Sequence, residues 1–208
     1  MGREQKIHEI SSYLRRSDKP GSISVLGERR MGKSSLLNQV VGVLAAEENL
    51  VTLHGTAQDL GDIKKTNFFS MLHLAIGRAL GHVVKKPAKE YVVLRKAVEQ
   101  WARQGYRFVL VLDEFEALTA NKKLDSEFFG NLRALGERLE YRFGFALASR
   151  RPLDVLCREH RVESSSFWYI FGLPHVLGLL GDQEVLDLIT LPMQYSLGEK
   201  SFLGVGTL

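Results

Sequence analysis

The sequence has a single cysteine, no long apolar run and no leader-like segment. Because Cys157 is the only cysteine among the 208 residues, the chain can form no internal disulfide, which fits a reducing cytoplasm. No run approaches the ~18 apolar residues that a membrane helix needs, and the N-terminus lacks the apolar region of a signal peptide. These absences predict a cytoplasmic chain without a membrane partner, in which Cys157 has a packing role.

Charge and histidine content are equally uninformative about a ligand. The 28 Lys and Arg residues against 24 Asp and Glu residues leave a net charge of +4, which permits contact with DNA but does not argue for it. The six histidines are scattered, and no pair lies at zinc-ligand spacing beside a third ligand. We therefore expect no structural metal.

What the sequence does contain is a phosphate-binding motif. Residues 27–35, GERRMGKSS, fit the pattern G-x-x-x-x-G-K-S of nucleoside triphosphatases. A short apolar stretch, Ile23–Leu26, precedes the motif, and residues 36–44 follow it with apolar side chains at helical spacing. A glycine turn that happens to precede a lysine is the alternative, and the strand–loop–helix context disfavours it.

The residue types in this motif suit phosphate binding. Gly27 and Gly32 let the backbone curl so that its N–H groups point at phosphate oxygens, and the helix beginning at Lys33 adds its positive end. The Lys33 ammonium can reach the β- and γ-phosphates, and the Ser34 hydroxyl can bind Mg²⁺. The predicted nucleotide contacts also include the remaining residues of the loop, Glu28, Arg29, Arg30, Met31 and Ser35.

A second motif follows the clearest buried strand, Phe108–Leu112. Asp113 ends this strand and is predicted to hold Mg²⁺, and Glu114 can polarise the attacking water as a general base. An apolar strand ending in Asp-Glu is often an accident, but its place after a complete phosphate loop favours the functional interpretation. At the end of the fourth strand, Ser149 is predicted to orient the water and Arg150 to stabilise the terminal phosphate; a surface arginine is the alternative.

The alternation of strands and helices predicts an α/β fold with a parallel sheet covered on both faces. The helix near 125–140 is expected to bury Phe128, Leu132, Leu135 and Leu139. Phe167–Phe171 is expected to pack in the core, and an exposed patch for a partner is the alternative. Strands are predicted at 23–26, 50–54, 108–112, 143–148 and 176–180, and helices at 3–16, 33–44, 67–80, 89–104, 125–140, 152–159 and 182–190.

With these motifs, the chain resembles the ATPases of the AAA+ and STAND groups. The resemblance covers about residues 2–193 and rests on motifs in the family's order. The motifs are GRE at 2–4, LGERRMGKSSLL at 26–37, VLDEFEAL at 111–118, ASR at 148–150 and LGLL at 177–180.

The resemblance implies a three-layer nucleoside-triphosphatase core with sheet order 5-1-4-3-2. It implies Glu114 as the catalytic carboxylate, Arg3 beside the adenine, and ATP rather than GTP, since no guanine-reading motif follows the fourth strand. The helical lid and winged helix of the family would follow where the chain ends, so we expect a fragment or truncated gene. The predicted domains are an ATPase core at 1–193 and an irregular tail at 194–208 that begins a truncated lid.

Three functions remain open. The first is Mg²⁺-dependent ATP binding and hydrolysis as a nucleotide-driven switch, with slow turnover and with a homo-oligomer or another protein as the partner. The second is a nucleic-acid-associated ATPase resembling origin-recognition or transposition-helper proteins, which would need a DNA-binding module. The third is a nucleotide-binding scaffold that does not hydrolyse, against which Glu114 argues.

Overall fold

The computed structural model describes residues 3–178, and within that range strands and helices alternate along the chain. The strands are β1 (Ile23–Leu26), β2 (Leu50–Thr56), β3 (Arg107–Asp113), β4 (Phe143–Ser149) and β5 (His175–Val176). The helices are α1 (Arg3–Leu14), α2 (Lys33–Leu44), α3 (Lys65–Ala79), α4 (Tyr91–Arg103), α5 (Glu116–Thr119), α6 (Ser126–Glu137) and α7 (Leu153–Glu159).

The strands form one parallel sheet in the order β2-β3-β4-β1-β5. This is the predicted order 5-1-4-3-2 read from the other edge, so the fold class is confirmed. β3 and β4, the central strands, are buried along almost their whole length, as expected when helices cover both faces of a parallel sheet. No helix within residues 3–178 is long and apolar enough to span a membrane.

Successive side chains of each strand enter two different cores. In β3, Val109 and Val111 join α1 and α2 on one face, whereas Phe108, Leu110 and Leu112 join α3, α4 and α6 on the other. This period of two is the geometry of an extended strand. The sheet with helices on both faces makes three layers, as predicted.

The strand register brings the carboxyl ends of the strands to one edge. Leu26 lies beside Ser149 on one side and Val176 on the other, and Thr56 lies beside Asp113. Ligands of open α/β sheets bind at this edge. The residues that follow the strands are therefore the candidates for a ligand site.

The differences from prediction lie mostly at element ends. α6 ends at Glu137 because Arg138 has extended dihedral angles, φ −80° and ψ 133°, and Leu139 is consequently 66% exposed rather than buried. In Phe167–Phe171, only the two terminal phenylalanines are fully buried, and Tyr169 is exposed. α5 was not predicted. The end of the predicted fifth strand, the helix at 182–190 and the tail at 194–208 lie outside the described residues.

Cys157 on α7 is buried, as its packing role requires. Burial, with smaller contributions from Asp154 and Glu163, raises the pKa of its thiol to about 12. At pH 8 only ~10⁻⁴ of the thiol would be ionised, so we expect alkylation by iodoacetamide to be about a thousandfold slower than that of a free cysteine. The rate should recover fully in denaturant. Alkylation of the folded chain at the rate of a free thiol would contradict this prediction.

Candidate active site

The loop between β1 and α2 has the backbone of an anion-binding turn. Gly32 has φ 78°, a left-handed conformation in which glycine carries no steric cost, and Arg30 also has a positive φ of 65°. Glycine at position 27 avoids a tight contact, since a Cβ there would lie 3.2 Å from the Cβ of Leu177. The loop therefore leads into α2 with the helix's first N–H groups at its mouth.

Lys33, the first residue of α2, is buried and faces the inside of this loop. Its Nζ donates to the carbonyl oxygens of Gly27 at 2.8 Å and Glu28 at 3.1 Å. A buried ammonium must be paired to remain charged, and the loop itself supplies the acceptors. The ammonium is thereby held inside the curl of the loop, where phosphate oxygens can take the place of the carbonyls.

The two halves of the predicted magnesium site lie in contact. The Ser34 hydroxyl on α2 donates to Oδ2 of Asp113 at the end of β3, although 79 positions separate them in the chain. A hydroxyl and a carboxylate are the hard oxygen ligands that Mg²⁺ prefers, with water and substrate phosphate completing the shell. The residues present therefore fit a magnesium nucleotide.

Glu114 follows directly and leaves the strand in a left-handed conformation, with φ 50°. Its backbone N–H donates to Oδ1 of Asp113 at 2.8 Å, which supports this conformation despite its cost for a residue with a side chain. Burial, and then the negative charges of Glu116 and Asp113, raise the pKa of the Glu114 carboxyl, while Arg150 lowers it. A carboxylate shifted in this direction is a better proton acceptor.

Arg150, just after β4, joins this group through two carboxylates. Its Nε lies 2.5 Å from Oε1 of Glu116 and 3.8 Å from Oε2 of Glu114. The hydrogen bond to Glu116, followed by that residue's charge, raises the pKa of Arg150. The sequence analysis did not single out Glu116. Its position two residues after Glu114 was the signal available in the sequence.

A cavity of about 550 Å³ opens beside these side chains. Glu28 of the phosphate loop, Glu114 and Arg150 share its wall, so the loop and the ends of β3 and β4 face one space. Gln58, which follows β2, adds an amide that the sequence analysis also missed. The other lining residues are Glu116, Ala117, Ala120, Arg151, Leu156, Glu159 and His160.

Ser149 does not join this group. Its hydroxyl donates to the carbonyl of Arg151 at 2.8 Å, and the side chain borders a separate cavity of about 280 Å³ beside Ser24 and Trp168. Because side chains alternate along a strand, Ser149 at the end of β4 and Arg150 after it point in different directions. The predicted role of Ser149 with water stays a prediction that this placement does not favour.

Arg3 connects the N-terminal helix with the phosphate loop. One terminal nitrogen of its guanidinium lies 2.6 Å from the carbonyl oxygen of Met31 and 3.2 Å from that of Gly178. Arg3 therefore lies beside the loop, as a nucleotide contact must, and its role with the adenine stays a prediction. Ser34, Ser35, Arg29 and Arg30 of the same loop are exposed.

Comparison with known families agrees with this geometry. The AAA domain family matches residues 15–154, which is most of the chain and includes the phosphate loop, Asp113 and Glu114. The chain belongs to the AAA domain family. This AAA domain therefore has the nucleotide-binding ATPase fold that its motifs predicted. No curated protein matches it.

Solved structures share the fold at low sequence identity. The Aeropyrum pernix ORC2 protein, in its ADPNP–ADP complexes, is 19% identical with a TM-score of 0.65, and the alignment covers 90% of this AAA domain and 50% of that chain. The Walker-type ATPase of Pyrococcus abyssi is 13% identical with a TM-score of 0.64, covering 90% and 56%. CDC6P from Pyrobaculum aerophilum is 15% identical with a TM-score of 0.58, covering 90% and 48%. The chain thus spans about half the length of these proteins.

Proposed function

We propose that this AAA domain binds ATP with Mg²⁺ and hydrolyses it, as the core of a nucleotide-driven switch. The observation that carries the proposal is the contact between Ser34 and Asp113. It joins the start of α2 to the end of the strand that precedes Glu114, which supports a site in which phosphate binding and water activation share one edge of the sheet. The ADPNP–ADP complexes of the Aeropyrum pernix protein of the same fold support the choice of an adenine nucleotide.

Each residue has a role that its position supports. The loop N–H groups and Lys33 would bind the phosphates, and Ser34 and Asp113 would hold Mg²⁺. When bound, the metal neutralises charge on the phosphate oxygens. Glu114 would accept the proton of the attacking water, and Arg150 would stabilise charge on the terminal phosphate.

The switch part of the proposal rests on Lys33. Its ammonium donates to two carbonyls of its own loop, and phosphate binding would exchange these acceptors for phosphate oxygens. The loop then has two alternative sets of contacts, one with nucleotide and one without. An element with two arrangements whose balance depends on a ligand is the physical requirement for a switch.

Titration with ATP and Mg²⁺, using Lys33→Ala as the test variant, decides whether the loop binds nucleotide. Removing a charge-assisted hydrogen bond costs about 1.5–3 kcal/mol, so we expect ATP affinity to fall about tenfold to a hundredfold. Calorimetry or a fluorescent ATP analogue gives the dissociation constant, and phosphate release is followed in parallel.

Two controls make the Lys33→Ala titration specific. Lys96→Ala removes an exposed lysine from α4, and it should bind ATP as the unaltered chain does. Lys33→Met keeps more of the buried volume, and thermal unfolding shows whether either Lys33 variant is folded. Folded Lys33 variants that bind ATP with full affinity would exclude the loop as the nucleotide site.

A further inference from the structure

We propose that Glu116 is a positioning residue of the hydrolytic site, which orients Arg150 towards the phosphates and prevents it from hydrogen-bonding to Glu114. The inference rests on the proposed function and adds to it a residue outside both nucleotide motifs. It stands on the geometry of three side chains, Glu116, Arg150 and Glu114, which come from two different parts of the chain.

Glu116 is the first residue of α5 and its side chain is only 16% exposed. Its Oε1 accepts a hydrogen bond from Nε of Arg150 at 2.5 Å, across 34 positions of sequence. Such a charge-assisted bond is stronger than a neutral one and fixes the direction of the planar guanidinium. The bond involves only Nε of Arg150. The two terminal nitrogens of its guanidinium do not bond to Glu116 and can donate to a phosphate.

The same contact sets the distance between Arg150 and the general base. Nε of Arg150 lies 3.8 Å from Oε2 of Glu114, which is beyond hydrogen-bond length. This Oε2 atom is buried and has no hydrogen-bond partner within residues 3–178, so it is open to a hydrogen bond from Arg150 if the arginine is released from Glu116. If Glu116 did not hold the arginine, Glu114 would be the nearest carboxylate for it to pair with.

The test is Glu116→Gln, which removes the negative charge and keeps the shape. Arg150, which already lies 3.8 Å from Glu114, should then hydrogen-bond to Glu114, and this contact would both misdirect the arginine and occupy the base. We expect kcat for ATP hydrolysis to fall about tenfold and the ATP dissociation constant to change much less, because Lys33 and the N–H groups of the phosphate loop are left unaltered. Glu137→Gln, on the outer surface of α6 in an ion pair with Arg133, removes the same charge and should have no effect.

A double-mutant cycle with Arg150→Gln tests whether Glu116 acts through the arginine. Glu116→Gln should cost much less kcat in the Arg150→Gln background than in the unaltered chain, because there is no guanidinium left to misdirect. Equal costs in both backgrounds, or a rise in kcat on Glu116→Gln alone, would overturn the proposal. In either case ATP hydrolysis by the unaltered chain would still support the proposed function.

A second readout needs no turnover. The Nε–H proton of Arg150, assigned by its loss in Arg150→Gln, should give an NMR signal protected from exchange with water. This signal should move in Glu116→Gln and stay in Glu114→Gln, since Glu116 and not Glu114 accepts the bond. If the chemical shift of this proton does not change in Glu116→Gln, the positioning role is refuted, whether or not the chain hydrolyses ATP. Absence of ATP hydrolysis by the unaltered chain would separately refute the proposed function.

Discussion

Replacing Glu114 by glutamine should reduce kcat for ATP hydrolysis by about 10²- to 10⁴-fold while leaving ATP binding intact. The range is what a positioned general base contributes. Glutamine keeps the size of the side chain and its hydrogen-bonding oxygen, but it cannot accept a proton from water. The loop between β1 and α2, which carries Lys33 and most of the proposed phosphate contacts, is not touched by this change.

The measurement is phosphate release at saturating ATP and Mg²⁺, with the ATP dissociation constant determined on the same preparation. Glu127→Gln is the matched control, because Glu127 is an exposed carboxylate of α6 that pairs with Lys65 away from the site. Turnover should survive in the control. Turnover that also survives in Glu114→Gln would show that another group activates the water, and Glu114 would lose its assigned role.

The backbone of Glu114 has a strained conformation that neighbouring hydrogen bonds support. A residue with a side chain at φ 50° costs free energy, so Glu114 would not stay there without compensation. Its N–H bonds Asp113, and the next N–H, of Phe115, donates to the carbonyl of Ala148 at 2.9 Å on β4. The strand end is thereby tied to its neighbour, and Glu114 is held beside Asp113.

The sheet was predictable because its signal is local. β3 contains an uninterrupted apolar run, and such a run between helices predicts a strand covered on both faces. The positions of the phosphate loop and of Asp113 and Glu114 at strand ends were also predictable from sequence, since each motif is contiguous and follows an apolar strand. Parallel pairing then brings those strand ends to one edge without further information.

The rest depended on contacts between distant positions, which no local pattern encodes. The pairing of Glu116 with Arg150 could not be predicted, because the sequence contains many carboxylates with which each arginine could pair. The predicted burial of Leu139 was wrong because the apolar helical spacing in the sequence continues past Glu137, whereas the helix itself ends there. Arg150 and Ser149, predicted to act together, lie on different cavities, because adjacent residues at a strand end point to opposite sides.

Gly144 on β4 is a further position whose importance only the fold reveals. A Cβ built there would lie 2.2 Å from the carbonyl oxygen of Gly21 and 2.9 Å from Cβ of Pro20. Both belong to the turn before β1, and the neighbouring N–H of Phe145 bonds the Ser22 hydroxyl at 3.3 Å. The turn therefore rests directly on β4, and only glycine leaves room for it.

Gly144→Ala should consequently lower the free energy of unfolding by about 3 kcal/mol, the upper part of the range for overpacking, because backbone and not a flexible side chain must give way. That is a large share of the ~5–15 kcal/mol that stabilises a typical domain. Urea unfolding followed by circular dichroism measures this free energy, provided that its dependence on urea concentration is the same in both proteins.

Gly130→Ala is the matched control, since a Cβ at that position in α6 meets nothing within 4 Å. It should stabilise the helix by about 0.5–1 kcal/mol, so the two glycine-to-alanine changes are expected to have opposite signs. Equal stability of Gly144→Ala and the unaltered chain would mean that the turn can move off the strand, and that the sheet does not depend on this close contact.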